Sequence, residues 1–215
     1  MRENYFKREP REFNIFRSMF QWITCNCVYA FFYKMKCGFD VFGRENVPKK
    51  GFFIVASNHV SAIDPFLVVS ALQRPIAYMA KQELFEKPIM RLFLDLLGAF
   101  AVNREKLGVS TIKTALGIKK TDWVLGLFPQ GTREKDGNLD NVTRGFAGLA
   151  KSLKCDILPL GITGALKSER KNFRNHITIK IGKPIPYNDN TTEMVELWKQ
   201  KIAELTAGEE DEKDN

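Results

Sequence analysis

The sequence predicts an α/β domain with a single, largely parallel sheet covered on both faces by helices, preceded by an amphipathic helical segment. Three observations predict it. Strand-like and helix-like stretches alternate along most of the chain. Short apolar runs such as FFIVAS are continuous rather than alternating, as strands buried on both faces require. The chain has 215 residues, 44% of them hydrophobic, which is enough for one sizeable core.

The first element is a helix. Residues 18–33 are the longest uncharged stretch, flanked by Arg17 and by Lys34 and Lys36. The stretch is short for a membrane span, which needs about 20 apolar residues, and it includes Gln21, Thr24 and Asn26. Asn14, Ser18, Gln21 and Cys25 fall at steps of four, three and four, so they share one helical face. Phe13, Phe16, Phe20, Ile23 and Cys27 occupy the opposite one. Such a helix, with large aromatics and basic flanks, can lie in a headgroup layer without crossing it. The alternative is an ordinary helix packed on the core. Residues 1–37 form this N-terminal amphipathic, membrane-interface segment.

The body runs over 38–206. A short strand is expected over 39–43, a turn at Lys49-Lys50-Gly51, and a buried strand over 52–57. A helix follows over 65–73 and a strand over 75–81. The stretch 87–98 is helical, with Pro88 near its start and Gly98 after its end. Then come a strand over 99–104, a helix over 109–120, a strand over 123–129 feeding a polar loop, and a helix over 144–153. Strands over 156–162 and 176–182 and a helix over 192–206 complete the body. Residues 207–215, with five acids and one lysine, read as an acidic disordered tail.

The net charge is +8, and the acidic tail means that the body is more basic still. A basic body suits an anionic partner such as an acidic membrane face or a phosphate-bearing substrate. The basic residues do not cluster with aromatics in a nucleic-acid module, so no nucleic-acid partner is expected. Four cysteines (Cys25, Cys27, Cys37 and Cys155) match neither a zinc pattern nor a disulfide framework, which points to a reduced, cytosolic setting. No cleavage signal follows the first apolar run, and neither GxGxxG nor a Walker A motif occurs.

The stretch SNHVSAIDPF holds one of only two histidines, with Asp64 five residues after His59. On a regular helix the two would lie about 140° apart. Asp64-Pro65 offers a helix start instead, with Asp as N-cap and Pro at N1. Residues 57–63 then form an irregular turn that can fold His59 back to the carboxylate. A carboxylate on one imidazole nitrogen fixes the tautomer and leaves the other nitrogen to take a proton. No G-x-S-x-G elbow supplies a protein nucleophile, so a working pair would activate a hydroxyl of the substrate. The other reading is structural, with Asp64 as a cap and His59 as a turn residue. His176 is read as structural or exposed.

NHVSAID resembles the N-H-x-x-x-x-D motif of the glycerolipid acyltransferases, specifically the 1-acyl-glycerol-3-phosphate acyltransferases. GAFAVNRE, LFPQGTRE and ILPLGITGA follow in that family's order and resemble its later blocks, and KQELF and IGKPIPY sit where the family has similar segments. The resemblance covers residues 39–187. It implies transfer of an acyl group from a thioester, acyl-CoA or acyl carrier protein, to the hydroxyl of lysophosphatidic acid. No further cofactor and no metal are implied, and the site would lie on the cytoplasmic face of a membrane. It also implies His59 as base, Asp64 as its orienter, and Lys81, Arg104 and Arg133 as phosphate ligands, with Gly131 and Thr132 shaping the turn. Another lysophospholipid or glycerol 3-phosphate as acceptor, or a non-catalytic lipid-binding role, are the alternatives. Position 130 is Gln where the family has Glu. Gln keeps an acceptor and gains donors but loses the charge, and activity is expected to be retained.

Overall fold

Among the described residues, seven strands form one sheet in the order β1-β7-β6-β2-β5-β3-β4. The structure, a computed structural model, describes residues 5–103, 108–133, 138–165 and 176–207. The strands are β1 (Phe39–Phe42), β2 (Ile54–Ser57), β3 (Ile76–Lys81), β4 (Phe100–Val102), β5 (Val124–Leu127), β6 (Ile157–Thr163) and β7 (Ile177–Ile181). Neighbours pair in parallel except β6 and β7, so β1 and β7 run against the other five. The largely parallel α/β sheet expected from the sequence is the one observed.

The helices are α1 (Ile15–Ile23), α2 (Phe31–Cys37), α3 (Asp64–Leu72), α4 (Pro88–Leu96), α5 (Val109–Ile118), α6 (Gly145–Leu153) and α7 (Thr191–Thr206). A π-helical stretch (Thr24–Ala30) joins α1 to α2. On β2, Ile54 and Ala56 join the core under α5, α6 and α7, while Val55 joins the core under α3 and the N-terminal helices. Both faces of the strand are therefore dry, and this is why its sequence is continuously apolar. Gly161 on β6 lets α7 approach: a Cβ there would lie 2.7 Å from the Leu205 Cβ. Trp198, fully buried on α7, donates its indole N–H to the Ala56 carbonyl at 3.0 Å.

The first helix is amphipathic, and one residue of its apolar face, Phe13, departs from the expected placement. Its polar face docks on the body, and its apolar face looks outward. Gln21 is buried. Its amide donates to the Ile76 and Leu97 carbonyls at 2.8 and 2.7 Å, and its oxygen accepts from the Ile76 N–H at 2.9 Å. Cys25 is buried beside it, whereas Phe16, Met19, Trp22 and Ile23 are exposed. Phe13 departs from the expected outer face and packs edge-on against Trp123 in the core. Among the described residues no helix is long and apolar enough to cross a membrane.

A buried ionic cluster ties the N-terminal segment to α4. The Arg8 guanidinium, 1% exposed, pairs with Asp95 at 2.6 Å and donates to the Ala99 carbonyl at 2.7 Å, and Arg17 reaches the same carboxylate at 2.9 Å. Burial by itself would raise the Asp95 carboxyl. The charge of Arg8 and the hydrogen bond and charge of Arg17 outweigh it and hold the group below its ordinary range. A carboxyl with a depressed folded value contributes stability above its unfolded value and loses that contribution as pH falls through the folded value. Asp95→Asn should therefore cost about 3 kcal/mol in denaturant melts at neutral pH, because it leaves buried Arg8 with Glu12, at 3.3 Å, as its remaining carboxylate. The gap between the two proteins should narrow below about pH 4.

Candidate active site

The motif residues lie at the carboxyl ends of adjacent parallel strands, where open α/β sheets bind ligands. β2 ends at Ser57 and delivers Asn58 and His59. Its neighbour β5 ends at Leu127 and delivers Phe128, Gln130 and Gly131. Next to β5, β3 ends at Lys81. Arg104, after β4, lies outside the described residues.

The turn between β2 and α3 brings His59 and Asp64 together, with Nδ1 of His59 2.8 Å from Oδ2 of Asp64. The same oxygen accepts the backbone N–H groups of Val60 at 2.8 Å and Ser61 at 2.7 Å. A carboxylate in this setting accepts, so the imidazole proton sits on Nδ1, and Nε2 is the nitrogen not engaged by Asp64. Asp64 is fully buried and is the first residue of α3, where the helix dipole favours an anion. The expected cap is corrected. Ile63, not Asp64, occupies the N-cap position, and the Asp64 side chain makes no cap bond to its own helix but points back into the turn. The helix therefore starts one residue earlier than Pro65 at N1 would require.

Asn58, just before the histidine, is buried and pairs both ends of its amide with β6. Its Nδ2 donates to the Ile162 carbonyl at 2.9 Å, and its Oδ1 accepts the Ile162 N–H at 2.7 Å. The Asn58 side chain thereby substitutes for a backbone partner and pins the turn to the sheet. On the other side Phe128 stacks on the His59 ring, centroids 4.1 Å apart, and lies parallel to Tyr78 at 5.8 Å. The Tyr78 hydroxyl donates to the Pro65 carbonyl at 3.1 Å, and burial pushes it well above its ordinary value, so it stays a donor. Asn58 and Phe128 both fall inside stretches the sequence had marked, but nothing in the sequence pointed to Tyr78.

Gln130 is buried. Its Oε1 accepts the backbone N–H of His59 at 2.8 Å, and its Nε2 donates to the Asn138 carbonyl at 3.0 Å. Gly131 takes φ +70°, a left-handed turn open to glycine, and a Cβ there would meet nothing within 4 Å. Thr132 and Arg133 follow on the same loop, with Arg133 exposed. Lys81 is half-exposed, pairs with Glu83 at 3.1 Å and lines a cavity. His176 is also half-exposed and pairs with Asp40 at 2.6 Å, away from these strand ends.

Two largely apolar cavities meet at Phe128. One, of 160 Å³, lies under α1, α3 and α4, lined by Gln21, Cys25, Phe66, Tyr78, Leu94 and Phe128. The other, of 460 Å³, lies toward α6, lined by Met79, Val102, Phe128, Gly131, Phe146 and Leu149. Burial pushes the Cys25 thiol up to about 12, so it borders the smaller cavity as a neutral group. Among the described residues no cluster of three His, Cys, Asp or Glu side chains stands together as a metal site would. The arrangement can take a proton at His59 Nε2 beside space for apolar chains.

Comparison with known proteins adds an independent line. Residues 38–163 match a family model described as Acyltransferase. The 1-acyl-sn-glycerol-3-phosphate acyltransferase of Bacillus subtilis is 31% identical over 180 residues, covering 80% of this chain and 89% of that protein. The yeast protein of the same name, from Saccharomyces cerevisiae, is 30% identical over 193 residues, 85% of this chain and 63% of its own length. A Borreliella burgdorferi relative is 30% identical over 122 residues, so this chain spans about half of it, 49%. The crystal structure of the 1-acyl-sn-glycerophosphate acyltransferase of Thermotoga maritima superposes with a TM-score of 0.68, covering 92% of this chain and 86% of that one. At 23% identity that likeness speaks to the fold.

Proposed function

The chain belongs to the acyltransferase family, and on that premise we propose that it transfers a fatty acyl group from an acyl thioester to the free hydroxyl of 1-acyl-glycerol 3-phosphate, giving phosphatidic acid and a free thiol. The observation that carries the reading is the His59–Asp64 hydrogen bond at the carboxyl edge of the sheet, with Nε2 left for a substrate proton. As the acceptor oxygen attacks the thioester carbonyl, Nε2 takes its proton, and Asp64 stabilises the imidazolium that forms. The tetrahedral intermediate collapses, the C–S bond breaks, and the imidazolium returns its proton to the departing sulfur. Acyl-CoA or acyl carrier protein would supply the thioester, and the reaction as written uses no further cofactor.

Lys81, Arg104 and Arg133 are the proposed phosphate ligands. Lys81 ends β3 and Arg133 lies on the loop that leaves the neighbouring β5, and guanidinium forks with an ammonium suit a phosphate dianion. Held by its phosphate, the acceptor presents its hydroxyl to a fixed base, and positioning then does much of the catalysis. His59→Ala should lower kcat by about 10³-fold, within the usual range for a general base, in assays with lysophosphatidic acid and an acyl thioester. Equal turnover of wild type and variant would remove His59 from the chemistry.

We also propose that the protein lies on the cytoplasmic face of a membrane without crossing it. Ile15 and Phe16 on α1 are 75% and 65% exposed, and Ile89 on α4 is 87% exposed. The two helices touch through Phe20 and Phe93 and through Arg17 and Asp95. Basic Lys34, Lys36 and Lys87 are exposed nearby in the chain, as an anionic surface would favour. No disulfide joins the four cysteines. Arg8, Phe13, Gln21 and Cys25 are buried against the body, so point changes test this better than removal of the segment. Phe16→Glu with Ile89→Glu should weaken sedimentation with anionic vesicles at least about tenfold, since each buried apolar side chain is worth about 1.5–3 kcal/mol. Undiminished binding would contradict the interfacial placement.

A further inference from the structure

Gln130 stands where the resemblance departs from its pattern, and its surroundings explain what a neutral amide does there. The side chain is 4% exposed, so its hydrogen-bonding capacity has to be met from within. One end accepts from an N–H, that of His59, which only the amide oxygen can do. The other end donates to a carbonyl, that of Asn138, which only the amide nitrogen can do. The orientation of the amide is thereby fixed by its two partners and cannot be reversed. A carboxylate of the same length would keep the first bond. At the second it would set an anionic oxygen against the Asn138 carbonyl oxygen, about 3 Å away, in a site with little solvent to screen it.

The two partners belong to different parts of the site. His59 is on the turn after β2. Asn138 is at the far end of the loop that leaves β5 and carries Gly131, Thr132 and Arg133. The same loop is closed lower down, where the Thr143 N–H donates to the Pro129 carbonyl at 3.1 Å, and the Gly131 N–H donates to the Phe128 carbonyl at 2.9 Å. Gln130 itself lies on this loop, so its bond to Asn138 closes the loop on itself and its bond to the His59 N–H ties the loop to the turn.

We propose that Gln130 is a positioning residue, a two-ended brace whose amide oxygen ties the loop bearing Arg133 to the turn bearing His59 and whose amide donor holds that loop in shape at Asn138. The proposal rests on the acyl-transfer reading above, with His59 as base and Arg133 as a phosphate ligand. It separates the two ends of one side chain by kinetic effect: the oxygen end supports the base, and the nitrogen end supports the acceptor phosphate.

Steady-state kinetics on the full chain test it, with lysophosphatidic acid as the varied acceptor and a saturating acyl thioester. Gln130→Glu keeps the acceptor for His59 and loses the donor for Asn138. Its KM for lysophosphatidic acid should rise about tenfold, as expected for one buried hydrogen bond, with kcat within about threefold of wild type. Gln130→Met, neutral and of similar length, loses both ends and should show the same rise in KM together with a fall in kcat of about tenfold or more. If Gln130→Glu unfolds early in a thermal melt, the Met variant decides the matter alone. A KM unchanged within about twofold in the folded variants, or a Glu variant that outperforms wild type, overturns the brace. Absence of turnover in the wild type would instead count against the acyl-transfer reading, so the two failures are distinguishable.

Discussion

Asp64 has no exposed surface, and a single oxygen of its carboxylate takes three hydrogen bonds, from His59 Nδ1 and from the N–H groups of Val60 and Ser61. Bonds to an ionised acceptor are worth about 1.5–3 kcal/mol each, enough to hold an irregular turn that has no ladder of its own. The arrangement requires the charge to be buried, and the dipole at the start of α3 offsets part of that cost. Everything else around the turn fits to this carboxylate. Asn58 fastens the incoming strand end to β6, Phe128 covers the imidazole face, and Gln130 holds the His59 N–H from the opposite loop.

The sheet order is what converts separate sequence blocks into one site. His59, Lys81 and Gln130 are 22 to 71 positions apart along the chain, yet they lie at or just past the ends of β2, β3 and β5, which stand side by side. Parallel strands point their carboxyl ends the same way, so residues that follow such strands converge. The strand and helix stretches themselves were legible in the sequence, because continuous apolar runs and Pro or Gly punctuation mark them. The order of the strands was not, since every strand buried on both faces carries the same apolar pattern and nothing in FFIVAS says that it lies between WVLGLFP and DILPLGI.

Local polarity misled in instructive ways. Gln21 reads only as part of a polar helix face, and nothing in the sequence says that its amide is buried, satisfying Ile76 and Leu97. Asp64 reads as a helix cap because Asp before Pro so often is one. Here three donors in the preceding turn compete for the carboxylate and win it. Arg8 carries no signal in a stretch of alternating charges, and its burial depends on Asp95, 87 positions away. Two of these cases turn on a long-range polar partner and the third on an irregular turn, none of which periodicity can report.

The central claim is that a phosphate-held hydroxyl attacks a thioester beside His59. It is tested most directly by incubating the purified chain with lysophosphatidic acid and a panel of acyl-CoA and acyl-carrier-protein donors and weighing the products. The account predicts phosphatidic acid carrying the donor's acyl chain, at a rate far above that with a monoacylglycerol lacking the phosphate. Formation of no phosphatidic acid with any donor, or equal use of the acceptor without phosphate, would contradict it.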